Sequence, residues 1–338
     1  MGIVLFGCGW QGRRHVVALQ QLSVKLDCIV DINPDGVHRS LPDYQKENIY
    51  SDSDLCFANH HPEMAIIATN SSSRLDCVKK CVDHGIKKIF CEKPMATNLK
   101  DAAEMVKITE ENNCMLSINH LRRWSPNHLK MKSLIDSNVI GDIKHIYFQC
   151  GSTGLGNVVS HVIDNIRYYT DSDIEWVIGQ IDDTGTPNPR GSQYKDPGGW
   201  GMLRLINGTR VFIDTYEDTG VPHVFEMVGA YGRIIIEEMN NHWQVLSRSD
   251  KGKEEPLTKY PTPLFEVEIF KPLEWDVTAF TKNGLKELIF ENETCCSGYD
   301  GYKAIECLIA MHVSDSRGGE KIKLPLVNND MSFDVPWA

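Results

Sequence analysis

The chain opens with a short apolar run, Ile3-Val-Leu-Phe6, that leads directly into Gly7-Cys-Gly9-Trp10-Gln11-Gly12 and then into a helical stretch, Arg13 to Gln21. A G-x-G-x-x-G triplet set between a strand and a helix restricts the fold more than any other feature here, because it belongs to the first turn of a doubly wound βαβ unit. The glycines permit a tight turn, close approach of the backbone to a pyrophosphate, and close packing of helix on strand. Unpaired N–H groups and the positive dipole end of the helix then face the phosphates. A glycine-rich turn without a ligand is the alternative, and Asp31 weighs against it. That residue closes the next strand, where a carboxylate accepts hydrogen bonds from an adenosine ribose and repels a 2′-phosphate, so NAD is favoured over NADP. A plain surface turn, Asp31-Ile-Asn-Pro-Asp-Gly36, is the other reading of this acid.

Up to residue 119 short apolar runs alternate with longer amphipathic stretches, the pattern of βαβ units and a parallel sheet. Strands are expected at Ile3 to Phe6, Leu26 to Val30, Met64 to Ala68, Lys88 to Cys91 and Met115 to Ile118. Helices are expected at Leu75 to His84, closed by Gly85, and at Leu99 to Asn112. From about residue 142 the texture changes to alternating strands, Trp200 to Asn207, Val211 to Tyr216, His223 to Gly229 and Arg233 to Glu238, which indicates an antiparallel sheet in a second domain. The 338 residues suffice for two domains, each with its own core. The Gly/Pro-rich segment Thr184 to Gly199 is too long for a hairpin turn and reads either as a substrate-side loop or as a linker.

Acidic residues outnumber basic ones 46 to 35, and no Lys/Arg tract is present to neutralise phosphates, so nucleic acid and anionic membrane surfaces are poor partners. No uncharged apolar run approaches the roughly 18 residues needed to span a bilayer. The glycine motif begins by residue 7, close to the start of the sequence, so no signal peptide is expected. The eleven cysteines are odd in number and form no C-x-x-C pair, as expected of free thiols in a reducing, cytoplasmic compartment.

A second constellation, Cys91-Glu92-Lys93-Pro94, follows the expected strand Lys88 to Cys91 at the carboxyl edge of the sheet, where open α/β folds bind ligands. A Lys buried beside a nicotinamide would have its ammonium form disfavoured and could exchange a proton with a reacting hydroxyl or carbonyl; a lone Lys in a loop is otherwise simply solvated. Glu92-Lys93-Pro94, about 80 residues after an N-terminal glycine fingerprint, resembles the family of glucose-fructose oxidoreductase, inositol dehydrogenase and rhizopine catabolism. Further matches are Ile67-Ala-Thr69, Arg123-Trp-Ser-Pro126, His161-Val-Ile-Asp164, Phe225 to Arg233 and Ser297-Gly-Tyr-Asp-Gly301. The resemblance implies an α/β protein with an N-terminal Rossmann domain, here 1–119, and a C-terminal α+β domain, here 120–338, whose open antiparallel sheet serves oligomerisation, as a homodimer or homotetramer. It also implies NAD(P)-dependent redox chemistry on sugars or polyols. The cofactor-binding residues would be Gly7, Gly9, Trp10, Gln11, Gly12, Asp31, Thr69, Asn70, Glu92 and Lys93.

The third constellation, Asn157-Val-Val-Ser-His161-Val-Ile-Asp164-Asn-Ile-Arg-Tyr168, places Asn157, His161, Asp164 and Tyr168 in a helical stripe about 60° wide. By itself such a stripe reads as a solvated helix face. In the family this helix borders the nicotinamide pocket, and its His works with the Lys in acid/base chemistry. Many polyol-oxidising members carry Asp where this chain has Asn157, which can hydrogen-bond but cannot take a proton. Nucleotide-linked amino sugars are therefore one substrate class that the resemblance points to. The family's Pro-Asn pair is replaced by Asn70-Ser71, and its usual His a few residues on is Arg74.

The expected activity is hydride transfer between nicotinamide C4 and a secondary-alcohol carbon of a sugar-like substrate. Lys93, His161 and Asn157 are the catalytic candidates, and Arg123, Asp164, Arg190, Tyr194 and Lys195 the substrate contacts. An NAD-retaining glycosidase of the same fold and a non-catalytic NAD-binding regulator are the rival classes. The scattered His lack partners at ligand spacing, so no metal is expected, and the hydrolase G-x-S-x-G is absent.

Overall fold

The computed structural model describes residues 1–337 except 152, 183, 186, 189 and 258–264. The chain separates into two compact units, Met1–Trp124 with Asp276–Ile305 and Asp334–Ala338, and Ser125–Trp275 with Glu306–Phe333. A single cut at 119/120 therefore does not describe the division, because the segment from residue 276 and the tail from residue 334 return to the first unit.

In the first unit the elements run β1 (Ile3–Phe6), α1 (Trp10–Gln21), β2 (Cys28–Val30), α2 (Pro34–Ser40), β3 (Ile49–Tyr50), α3 (Ser53–Asn59), β4 (Met64–Ile67), α4 (Arg74–Asp83), β5 (Lys88–Cys91), α5 (Leu99–Glu111) and β6 (Met115–Ile118). The strands form one parallel sheet in the order β3-β2-β1-β4-β5-β6. Every residue of β1 and β4 is buried, as a sheet covered on both faces requires. Asn33, Asp52 and Asn98 cap α2, α3 and α5 through side-chain acceptors. β3 has two residues, too short for any periodic pattern to announce it.

The second unit begins with α6 (Pro126–Asp136), β7 (Ile143–Gln149), a single π-helical turn over Leu155–Val159 and α7 (Ser160–Thr170). It continues with β8 (Ile174–Ile181), β9 (Gly199–Leu205), β10 (Arg210–Asp214), β11 (Val224–Gly229), β12 (Gly232–Glu237), β13 (His242–Arg248), α8 (Asp250–Glu254) and β14 (Phe265–Phe270). After it come α9 (Val277–Lys286), whose residues cluster with the first unit, α10 (Gly298–Ser316), which belongs to the first unit up to Ile305 and to the second from Glu306, and β15 (Ile322–Lys323). The nine strands lie in the order β14-β13-β12-β11-β7-β10-β9-β8-β15. Neighbouring strands pair antiparallel except β7 and β10, which run parallel, so the expected antiparallel sheet is a mixed one. Burial alternates along β9, with Gly199, Gly201, Leu203 and Leu205 inside and Met202 and Arg204 outside, the signature of a sheet covered on one face.

The returning segments are held within the first unit by specific contacts. A Cβ at Gly284 of α9 would stand 3.0 Å from the Phe90 and Trp124 rings, so any larger residue would require those rings to give way. In the tail, Val335 N–H donates to the Thr97 carbonyl at 2.9 Å and the Trp337 indole N–H to the Ala96 carbonyl at 2.8 Å.

Candidate functional site

Parallel pairing of β2, β1, β4 and β5 places the loops that follow them on one edge of the sheet. Those loops carry Asp31, the Gly7 to Gly12 turn, Thr69 with Asn70, and Glu92 with Lys93 respectively. Gly7 has φ +80°, and a Cβ there would stand 2.9 Å from the Ala68 carbonyl oxygen. At Gly12 a Cβ would lie 2.1 Å from the Gly7 carbonyl oxygen, which forbids any side chain and brings α1 tightly onto β1. Gly9 differs from both, since a Cβ there would meet nothing within 4 Å. It is the N-cap of α1, which begins at Trp10 rather than Arg13, and no side chain caps that end. Open space before an uncapped helix N-terminus of twelve residues fits a dinucleotide pyrophosphate.

Asp31 is half-buried, and its two carboxylate oxygens accept from the Cys8 N–H at 2.7 Å and the Asn33 N–H at 2.8 Å. These bonds fix the carboxylate beside the glycine turn while each oxygen keeps a lone pair for a ribose hydroxyl. Trp10 is exposed, and the Arg14 guanidinium stands 5.2 Å from its ring centroid and donates to the Gln11 side-chain carbonyl at 3.0 Å. Thr69 is half-buried and Asn70 exposed.

Glu92 is directed inward rather than toward the edge. It is 4% exposed, and its Oε1 accepts from His15 Nε2 at 2.9 Å and from Asn119 Nδ2 at 2.8 Å. Burial pushes its carboxyl up, but the His15 hydrogen bond and charge, the Asn119 hydrogen bond and the Arg74 guanidinium outweigh burial and hold it down at about 2. Lys93 is half-buried between the buried residues Glu92 and Pro94. Arg74, the first residue of α4, is 4% exposed and donates to the carbonyls of Thr69, Glu92 and Pro94.

In the second unit His161 is 7% exposed and Asp164 is fully buried, which removes the solvated-face reading of this stretch. Asn157 and Tyr168 are half-buried, and Asn157 lies in the π turn ahead of α7 rather than in the helix proper. The Asp196 carboxylate accepts from the Gly156 N–H at 2.6 Å and the Asn157 N–H at 2.9 Å, so the Gly/Pro-rich segment is bonded to the start of this helical stretch. Of that segment, residues 186 and 189 lie outside the described residues.

Of the other substrate candidates, Arg123 belongs to the first unit and Arg190, Tyr194 and Lys195 to the second. Arg123 is 8% exposed and donates to the Cys295 carbonyl at 2.6 Å and the Asp300 carboxylate at 3.0 Å, within the first unit. Arg190 and Lys195 are exposed, and Tyr194 is half-buried. His15 and Asp196 escaped sequence reasoning, and Arg74 stood out only as a departure from the family's usual His, since nothing in a local pattern tells a buried polar residue from a solvated one. Among the described residues no helix is long and apolar enough to cross a membrane, and no three His, Cys, Asp or Glu residues are grouped to hold a metal.

A parallel six-stranded sheet with a glycine turn at an uncapped helix and an acid after the second strand defines a dinucleotide-binding protein of the Rossmann class. The model of an oxidoreductase family with an NAD-binding Rossmann fold matches residues 1–120. That family is the one of glucose-fructose oxidoreductase, inositol dehydrogenase and rhizopine catabolism, and the match lies within the N-terminal part of the chain. It is 35% identical over 101 residues to Oxidoreductase P35 of Formosa agariphila, a match covering 30% of this chain and 31% of that one. The chain thus spans less than a third of that relative. It is 22% identical over 280 residues to myo-inositol 2-dehydrogenase of Thermotoga maritima, covering 75% of this chain and 80% of that one. In fold it resembles a levoglucosan dehydrogenase solved with NADH and levoglucosan, with a TM-score of 0.81 at 18% identity over 96% of this chain and 100% of that one.

Proposed function

We propose that the protein is an NAD-dependent oxidoreductase acting on a secondary alcohol or ketone of a sugar, nucleotide sugar or polyol. The observation that carries this reading is the placement of Asp31, the glycine turn, Thr69 and Lys93 on one edge of one parallel sheet. When bound, NAD supplies the hydride acceptor or donor at its nicotinamide; the protein supplies position and proton management. The α1 N-terminus and Gly9 receive the pyrophosphate, and Asp31 receives the adenosine ribose. Lys93 polarises the substrate oxygen, His161 relays its proton and Asn157 orients the hydroxyl. Glu92 serves this site from behind, by holding the backbone that presents Lys93.

Nucleotide sugars and free polyols offered with NAD, followed by NADH absorbance, test the reading. NADH formation with one substrate class supports it. Release of an aglycone without net NADH would instead favour the NAD-retaining glycosidase, and binding of NAD with no turnover of any candidate the regulator.

We further propose a homo-oligomer joined through the C-terminal sheet. At its β14 edge Phe265, Val267 and Ile269 alternate on one face and are 43%, 56% and 65% exposed, an apolar stripe of the kind a monomer seldom leaves in water. Light scattering on the wild type and on Val267→Lys checks it, with a shift to monomer expected for the variant.

A further inference from the structure

Arg74 occupies a place that helix energetics alone would not select. It is a cation at the N-terminus of α4, where the dipole disfavours positive charge, and its side chain is 4% exposed, so the guanidinium has left water. What balances these costs is a set of four hydrogen bonds to three carbonyls. Nε and Nη2 donate to Thr69 O at 3.1 and 2.7 Å, Nη1 donates to Glu92 O at 2.8 Å, and Nη1 also donates to Pro94 O. The buried Glu92 carboxylate offsets the charge. The acceptors belong to two loops, residues 69–73 after β4 and residues 92–98 after β5, and two of them flank Lys93 directly.

We propose that Arg74 is the positioning residue of Lys93, a planar clamp that fixes the backbone on both sides of that lysine and locks it to the Thr69 loop. The inference deepens the function proposed above and rests on its reading of Lys93. Arginine suits the task because its fork presents five donors in one plane, whereas lysine offers three on a point charge and histidine at most two at opposite sides of a ring. The same two loops are joined a second time by Trp337, whose indole donates to Ala96 O at 2.8 Å and whose carbonyl accepts from Ser71 Oγ at 2.6 Å. That second tie keeps the loops in place in the fold when the clamp is removed, so its loss acts on the precision of the Lys93 backbone.

The test uses the full chain as Arg74→Ala, Arg74→Lys, Lys93→Ala and the Arg74→Ala/Lys93→Ala pair. Without cofactor or substrate, hydrogen exchange in segments 69–73 and 92–98 should quicken about tenfold or more in Arg74→Ala while distant segments keep their wild-type rates. With the substrate found in the screen, kcat should fall roughly 10²-fold with a much smaller change in KM, as for a small misplacement of a reacting group. Added guanidinium should restore part of that turnover, Arg74→Lys should remain well below wild type, and the double variant should be no slower than Lys93→Ala alone. Unchanged exchange in segment 92–98, or losses that multiply in the double variant, would overturn the clamp. Should Lys93→Ala keep full turnover, the catalytic reading fails, and the exchange rates still decide whether Arg74 holds the loops.

Discussion

His15 Nε2 lies 2.9 Å from Glu92 Oε1, so the helix behind the glycine turn is bonded to the residue that precedes Lys93, across 77 positions of sequence. The phosphate end and the proton-transfer end of the proposed site therefore share one buried support. Asn119, the residue after β6, donates to the same carboxylate oxygen and brings a second strand end into it.

Glu92 should make stability depend on acid. Its carboxyl is held at about 2, below the ordinary value of 4.5, so its contribution is complete above about pH 4.5 and is lost as pH falls toward 2. The loss amounts to roughly 3 kcal/mol, at 1.36 kcal/mol per unit. Urea unfolding of the wild type and Glu92→Gln from pH 5 to about pH 2.5 measures it. The variant should be less stable at pH 5 and show a flatter profile; parallel profiles would mean that other carboxylates govern acid unfolding.

Asp31 should set cofactor choice, because a fixed carboxylate beside the ribose hydroxyls opposes an added phosphate by like-charge repulsion. Titration of wild type and Asp31→Ser with both cofactors is the measurement. We expect the wild type to prefer NAD, and the variant to lose about tenfold in NAD affinity, as for a lost charged hydrogen bond, together with most of its discrimination. Equal wild-type affinities for NAD and NADP would contradict this role.

Lys93→Ala should lower turnover by roughly 10² to 10⁴ while NAD affinity changes far less. His161→Ala should cost a similar factor and flatten the pH dependence of turnover between about pH 6 and 8, where an imidazole titrates. Asn157→Asp should be tolerated if Asn157 only orients substrate. Near-wild-type kinetics in both alanine variants would remove these residues from the mechanism without touching the fold.

Asp196→Ala should release the Gly156 and Asn157 N–H groups and lower stability by about 1 kcal/mol, the usual worth of a helix cap. Thermal unfolding reads that loss. Turnover should drop by about tenfold with it, since Asn157 would no longer be held. A variant with wild-type stability and kinetics would mean that the carboxylate merely rests on the helix end.

Local chemistry was legible in the sequence. The glycine turn, Asp31, four of the six parallel strands to within a residue, α1 and α5 follow from steric rules and apolar runs that act within a few positions, and the Glu92-Lys93-Pro94 motif marked the correct strand end. What the sequence left open was decided by contacts between distant segments. The two residues of β3 become a strand only because β2 offers them a partner, and β7 runs parallel to β10 because of where the intervening strands return it to the sheet. A linear reading puts Glu92 at the cofactor and Arg123 at the substrate, and marks Arg74 only as a departure from the family's usual His. They are buried because His15, Asn119, the carbonyls around Lys93 and Asp300 arrive from elsewhere in the chain to satisfy them. The return of the chain from residue 276, and again from residue 334, to the first unit was equally invisible. Periodicity records which residues want to leave water, whereas the partner that lets a polar group leave it is set only when the chain has folded.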